Sequence, residues 1–294
     1  MKEEGKHYCD STKVSVAPIA KSIAKDIIVK KHYTHAWTSC RYALGVYYHT
    51  DEVDMFGNSQ KLIGVAIYGF PVGAKAPTSV CDGLTKDNIL ELTRLYLDDG
   101  YGSNIESCAL GKTFQWIRDN DKNIKVLLSY ADNGQGHVGG IYKATNWIYQ
   151  GLSTDIALMP NWGISLSKDP YGWIHSRSVY NLWGSGNLEH LRREIGKEGH
   201  TEFWRREEPP KHRYIQIIAN SKKERKDLHK RLKHPTKPYP KTASDYNTDI
   251  VHHTTYAPEE SNEINLMFKE TLKDAFNIKK QKDSISLTRI FELI

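Results

Sequence analysis

The apolar positions change period several times along the chain, and each change marks an element. Between Pro18 and Tyr33, the residues Ile19, Ile23, Ile27 and Ile28 recur at helical spacing with lysines on the other face, which predicts an amphipathic helix. Arg41–Tyr48 and Lys61–Tyr68 are rich in β-branched and aromatic residues. They flank the polar stretch Asp51–Gln60, which predicts a β-hairpin with a long loop. Phe70–Thr85 is turn-rich, with Pro71, Gly73, Pro77 and Gly83. Ile89–Leu97 alternates as a half-buried strand does, and Asp98–Asn104 follows as a loop holding Gly100 and Gly102. Glu106–Asn120 has a helical apolar face of Leu110, Phe114 and Ile117, with Ser103 or Asn104 as its N-cap. Ile124–Ala131 is short and almost wholly apolar, the mark of a central strand. A glycine-rich turn (Gly134–Gly140), a short helix (Ile141–Asn146) and a strand (Trp147–Leu152) come next. His212–Ile218 predicts another strand. Ser221–Lys233 predicts a basic helix with Ser221 as N-cap and Glu224 at the capping-box position, stopped by Pro235, Pro238 and Pro240.

Strands alternating with helices in this order predict an α/β fold with a parallel pair across a helical crossover. The expected organisation is a lead-in over 1–16, one domain over 17–241 and a polar, partly flexible extension over 242–294. That extension has weakly apolar patches at Ile264–Phe276 and Ile285–Ile294, read as one or two helices. Charge supports a boundary near Lys241. From Arg205 to Lys241 there are 13 basic and 4 acidic residues, more than the net +6 of the whole chain, and the balance reverses afterwards. A basic block of this kind points to a polyanion partner. The cysteines Cys9, Cys40, Cys81 and Cys108 form no C-x-x-C pair, which argues against structural zinc and for a reducing compartment. With no signal peptide and no apolar run of spanning length, the expectation is a cytoplasmic protein without membrane contact.

Candidate chemistry clusters in the centre and at two outliers. Glu106 and Ser107 open a helix, where the dipole steadies a carbonyl or oxyanion, although both residue types also serve as ordinary caps. Asp132 follows a buried strand at the place where open α/β sheets bind ligands; it is a candidate proton acceptor, or a simple turn-former. His32 ends the first helix as a candidate general base or as a cation on the helix dipole. His32 and His35 without a carboxylate make a weak metal signal, so no metal is expected. Tyr33 and Tyr142 are candidates to stack on a base, or are core. His137 is a candidate donor contact, and Arg94 needs a bound anion or a carboxylate if buried. For nucleic acid the candidates are Arg205, Arg206, Lys211 and Arg213, with Lys222, Lys223, Arg225, Lys226, Lys230 and Arg231 along the basic helix.

Several pieces in this order resemble the Mom family of phage DNA-modification proteins, on a fold like that of the GNAT acetyltransferases. They are His32-Tyr33, the strand ending LTRLYLDD, the N-x-E-S of Asn104, Glu106 and Ser107, and Tyr130–Asp132. The run GHVGGIYKATNW from Gly136 and the closing Tyr239-Pro240-Lys241 complete the set. The resemblance covers most of 17–241. It implies a GNAT-like mixed central sheet flanked by helices, and conversion of the adenine exocyclic amine in phage DNA to a carbamoylmethyl (acetamido) adduct that blocks host restriction enzymes. Together with the residue chemistry above, it points to His32, Tyr33, Glu106, Ser107 and Asp132 at the reaction and Arg94, Asn104, His137, Tyr142 and Asn146 around the donor, without fixing a complete mechanism. It also implies double-stranded DNA as partner and the host cytoplasm as location. GNAT loops carry a Q/R-x-x-G-x-G/A pattern for the coenzyme A diphosphate. Asp98–Asn104 has the glycines, two aspartates and no cation, so the donor is either acetyl-CoA or an aminoacyl-tRNA supplying a glycyl unit. The rival expectations are an N-acyltransferase acting on protein, tRNA or a small amine, and a DNA-binding module without activity.

Overall fold

A computed structural model of the chain describes residues 7–50, 53, 57, 59–71, 76–157, 161–167, 172–247 and 249–256. In chain order these residues form β1 (Val14–Pro18), α1 (Lys21–Lys31), β2 (Tyr42–His49), β3 (Gln60–Gly69), β4 (Ile89–Leu97) and α2 (Ile105–Asn120). Then come β5 (Val126–Asp132), α3 (Gly140–Ala144), β6 (Ile148–Leu152), α4 (Ser153–Ala157), β7 (Trp162–Ser165) and β8 (Ile174–His175). Last are α5 (Ser176–Trp183), α6 (Leu188–Lys197), β9 (Glu202–Glu207), β10 (Lys211–Ile217), α7 (Lys222–Lys230) and β11 (Ile250–Thr254).

The chain divides into two compact units, Met1–Met159 with Pro209–Asp245, and Pro160–Glu208 with Tyr246–Ile294. The first holds a mixed seven-stranded sheet in the order β1-β2-β3-β4-β5-β10-β6, flanked by helices, as the resemblance implies. Its pairs are antiparallel except β4 with β5, the pair joined through α2. Alternation along the strands feeds both faces of the sheet. Ala66 and Tyr68 of β3 join Leu90, Leu110, Phe114 and Ile117 under α2, whereas Val65 and Ile67 pack with Ala24 and Ile28 of α1. On the α1 side of β5 and β10, Val126, Leu128, Ile215 and Ile217 cover Leu228 of α7. Each such fully buried aliphatic side chain stabilises the fold by about 1.5–3 kcal/mol.

Three features depart from the sequence expectations. Residues 14–18 form an edge strand, so the sheet begins inside the stretch read as lead-in, and α1 starts at Lys21 after Pro18 has closed β1. Residues 160–208 belong to a second unit with its own core of Ile164, Val179, Trp183, Leu191, Ile195 and Phe203. Its antiparallel sheet has the order β11-β9-β7-β8. The extension supplies β11, paired to β9 with Ile250 opposite Arg206, so part of it is strand. The patches Ile264–Phe276 and Ile285–Ile294 lie outside the described residues. No helix among the described residues is long and apolar enough to cross a membrane.

Candidate active site

The site begins with a broken ladder. β4 and β5 pair only through Ile89–Val126, Leu90–Leu127 and Glu91–Leu128. One residue further, Ser129 Oγ donates to the Leu92 carbonyl at 2.9 Å and meets the Tyr142 hydroxyl at 2.8 Å, replacing a ladder bond with side-chain chemistry. Beyond that pin the two strands open onto a cleft of about 810 Å³, bordered by Leu92–Leu97 of β4 and Tyr130–Asp132 of β5. The end of α1, the start of α2 and the turn leading into α3 complete its walls. Such a volume suits a small-molecule or extruded-base pocket.

Of the residues assigned from sequence to reaction and donor, His32, Tyr33, Arg94, Asn104, Glu106, Ser107, Asp132, His137 and Tyr142 all line this cleft. Asn146 does not. It is exposed, sits in the left-handed region at φ 57° and ends the α3 turn by donating its N–H to the Lys143 carbonyl. Asparagine tolerates that conformation, so a helix-terminating role accounts for the residue.

The lining residues differ in what they have left to offer. His32 is buried and its Nδ1 is engaged by Thr34. Burial, with the neighbouring charges of Arg94, His35 and His137, pushes its pKa down to about 4. Tyr33 is half-exposed and meets the His137 ring edge-on at 5.7 Å. Burial and the Asp132 charge raise its pKa, which keeps the phenol protonated. Asp132 closes β5; its Oδ1 accepts from the Gly134 N–H at 3.0 Å, and its Oδ2 lies 3.8 Å from Lys211 Nζ. Arg94 donates to the carbonyls of Thr93 at 2.7 Å and Ala36 at 3.3 Å; burial pulls its pKa down, against the opposing influence of Tyr33 and Glu91. Tyr142 borders the cleft but is spent on structure. Its hydroxyl is on Ser129, its ring stacks on Tyr214 at 4.7 Å, and burial pushes its pKa up to about 12.

At the α2 end the polar groups are turned inward. Asn104 holds the N-cap position without a side-chain cap bond; its Oδ1 accepts from the Cys9 N–H at 2.6 Å instead. Ser107 Oγ donates to the Asn104 carbonyl at 2.8 Å. The Ser103 N–H donates to the His7 carbonyl at 3.0 Å, and a Cβ on Gly102 would lie 2.3 Å from the Cys9 nitrogen. Segment 7–9 therefore covers the loop Asp98–Asn104. The loop itself carries Asp98 and Asp99, and Glu106 stands beside it. The cations nearest it are engaged within the protein, Lys31 with Asp98 at 2.9 Å and Lys61 over the Tyr101 ring at 5.8 Å, a setting that disfavours a diphosphate.

The basic candidates also separate. α7 turns Leu228 inward and leaves Lys222, Lys223, Lys226 and Lys230 exposed, on the sheet face opposite α2. Arg225 donates to the Ile217 carbonyl, and Arg231 pairs with Asp227 at 3.1 Å. Arg213 corrects the sequence expectation. It is 1% exposed and donates to the Ser79 carbonyl, so it is not placed to grip a phosphate; its position in β10 points it into the core. Lys211 is exposed beside Asp132. In the second unit Arg205 lies over Trp162 and Arg206 over Trp173, each at 4.1 Å. Sequence reasoning missed Thr34 and Ser129. Ser129 carries a signal, as the one hydroxyl within the apolar run VLLSYA before Tyr130; Thr34 carries none. Among the described residues, no group of three or more His, Cys, Asp or Glu is placed to hold a metal ion.

Among solved structures, the aminoglycoside acetyltransferase AAC(6')-Ib in complex with coenzyme A is 10% identical, with 58% of this chain and 99% of that chain covered at a TM-score of 0.33. The same enzyme with paromomycin and acetyl-CoA is 11% identical, covering 48% and 86% at a TM-score of 0.33. The methylcarbamoylase mom of Escherichia phage Mu is 26% identical over 173 residues, which is 58% of this chain and 68% of that protein. Residues 13–241 match the model of the Mom protein family, and the chain belongs to that family.

Proposed function

We propose that the protein is a transferase that modifies the exocyclic amine of adenine in DNA, converting it to a carbamoylmethyl (acetamido) adduct and so shielding the DNA from restriction. The observation that carries this reading is the convergence of Asp132, His32, Tyr33 and Arg94 on one cleft, where β4 and β5 part. A carboxylate at the carboxyl end of a strand is well placed to take a proton from an attacking amine. Family membership and the phage Mu relative support the DNA substrate. An adenine inside a duplex must be extruded to react, and the half-exposed ring of Tyr33 offers a stacking surface at the cleft. The exposed lysines of α7 supply a sequence-independent grip on phosphates.

The donor is an activated two-carbon carbonyl compound. The closed loop at Ser103 favours a carrier other than coenzyme A, and a glycyl ester of tRNA has the required atoms. Mass spectrometry of nucleosides from plasmid DNA of bacteria expressing the protein, beside an Asp132→Ala control, tests the proposal. A heavier deoxyadenosine species absent from the control is expected, with fragmentation separating the carbamoylmethyl adduct from its glycyl isomer. Unmodified DNA alongside well-folded, well-expressed protein would contradict it.

A further inference from the structure

Both hydrogen bonds that the His32 ring makes among the described residues are at Nδ1. The Thr34 backbone N–H lies at 3.2 Å and Thr34 Oγ1 at 2.9 Å. A backbone N–H can only donate, so Nδ1 presents its lone pair there, and the neutral ring carries its proton on Nε2. The buried ring nitrogens without a partner, among the described residues, are those of Trp147, Trp173 and His212. His32 Nε2 is not one of them and has no hydrogen bond to a described residue, so it reaches solvent, and the solvent beside His32 is the cleft.

The surroundings keep the ring neutral. Arg94 from β4, His35 beyond α1 and His137 after β5 face it, and the Tyr33 ring lies at 4.4 Å. A second proton on Nδ1 would point at the Thr34 N–H. A nitrogen whose lone pair is already occupied is a poor general base, and the free Nε2 carries a hydrogen rather than a lone pair.

We propose that Thr34 is a positioning residue that locks His32 in the neutral Nε2–H tautomer, so that His32 donates a hydrogen bond to the carbonyl oxygen of the acyl donor while Asp132 takes the proton of the attacking amine. The identity of that amine rests on the adenine reading above. As the amine nitrogen bonds to the carbonyl carbon of an acyl ester, the carbonyl electron pair moves onto oxygen, where the Nε2–H meets it. The amine proton passes to the Asp132 carboxylate. The carbonyl re-forms, the ester oxygen leaves with its bonding pair and takes the proton back from Asp132, and His32 keeps its own proton throughout. This step yields the glycyl amide; the carbamoylmethyl isomer forms from it only when the adenine nitrogen moves from the carbonyl carbon to the methylene as the glycyl nitrogen takes its place.

The test is side-chain nitrogen–proton correlation NMR on full-length protein labelled at its 13 histidines, with His32 assigned from a His32→Gln variant. The expected spectrum shows unprotonated Nδ1 and protonated Nε2, unchanged from about pH 8 to about pH 5, a range in which an ordinary histidine titrates. A protonated Nδ1, or titration near about 6.5, would overturn the proposal. The rate of modification gives a second readout. His32→Ala should lose about 100-fold or more, the usual cost of removing an oxyanion donor, whereas His32→Gln, whose amide N–H reaches the Nε2 position, should stay within about 10-fold of wild type. Equal loss in both folded variants would mean that His32 acts as a base and would overturn the donor role. The NMR result stands or falls without regard to substrate, so absence of adenine modification would sink the functional reading while leaving the tautomer to be judged separately.

Discussion

The two ends of the cleft contain similar polar residues but use them differently. At the α1 and β5 end, His32 lines the cleft with its Nε2 unbonded among the described residues, and Asp132 has an oxygen 3.8 Å from Lys211 Nζ. At the α2 end, the Asn104 and Ser107 side chains and the Ser103 backbone N–H are hydrogen-bonded within the chain, with Ser103 and Asn104 bonded to segment 7–9. A polar side chain already satisfied internally has little left for a ligand, because rebinding must replace a bond rather than make one. On the function proposed above, the α1 and β5 end would carry the reaction, and the α2 end would offer little to a diphosphate.

The largest effect should follow from breaking the open end. Asp132→Asn keeps the turn to Gly134 but cannot accept a proton, and should slow modification by about 10²–10⁴-fold, measured as adduct formed per unit time on purified DNA. Breaking the closed end should cost stability instead. Gly102 has φ 105° and packs on the Cys9 backbone, so Gly102→Ala should destabilise the protein by about 1–3 kcal/mol, seen as a lower thermal midpoint. Tyr142→Phe removes one hydrogen bond at the pin between the strands and should cost about 1 kcal/mol in the same measurement, with DNA affinity unchanged.

A weaker effect concerns pH. The folded state holds His32 below its ordinary value of 6.5, at about 4. Because the fold disfavours the protonated ring, the neutral ring's contribution to stability is complete above about pH 6.5 and is lost as pH falls through about 4. Unfolding measured across that window should show a slope that His32→Gln reduces. The smallest effect on chemistry should come from α7. Replacing Lys222, Lys226 and Lys230 by alanine should flatten the dependence of DNA affinity on salt by about 0.9 in log–log slope for each phosphate no longer neutralised, with the rate at saturating DNA unchanged.

Much of this is legible in the chain. Ile89–Leu97 is a strand with the expected bounds, and α2 differs from its expected start by a single residue, because both carry long, clean periodicities. The residues that meet in the cleft sit at the ends of such elements, so their order along the chain already places them near one another. The second unit is not legible: α5 and α6 have 8 and 10 residues and share a small core with short strands, too little periodicity to announce itself. Nor can sequence show that Arg213 points inward or that segment 7–9 covers the loop, since both depend on neighbours distant along the chain. Asn146 misleads because an asparagine after a short helix looks the same whether it ends the helix or meets a ligand.

The contrast between the two ends is tested most directly by calorimetric titration of acetyl-CoA into the purified protein. No saturable binding is expected at acetyl-CoA concentrations up to about 1 mM, a standard-state affinity of about −4 kcal/mol. Saturable binding that 3′-phosphoadenosine 5′-diphosphate competes away, and that Gly102→Ala weakens, would place a coenzyme diphosphate at the loop near Ser103 and would contradict a closed seat at the α2 end.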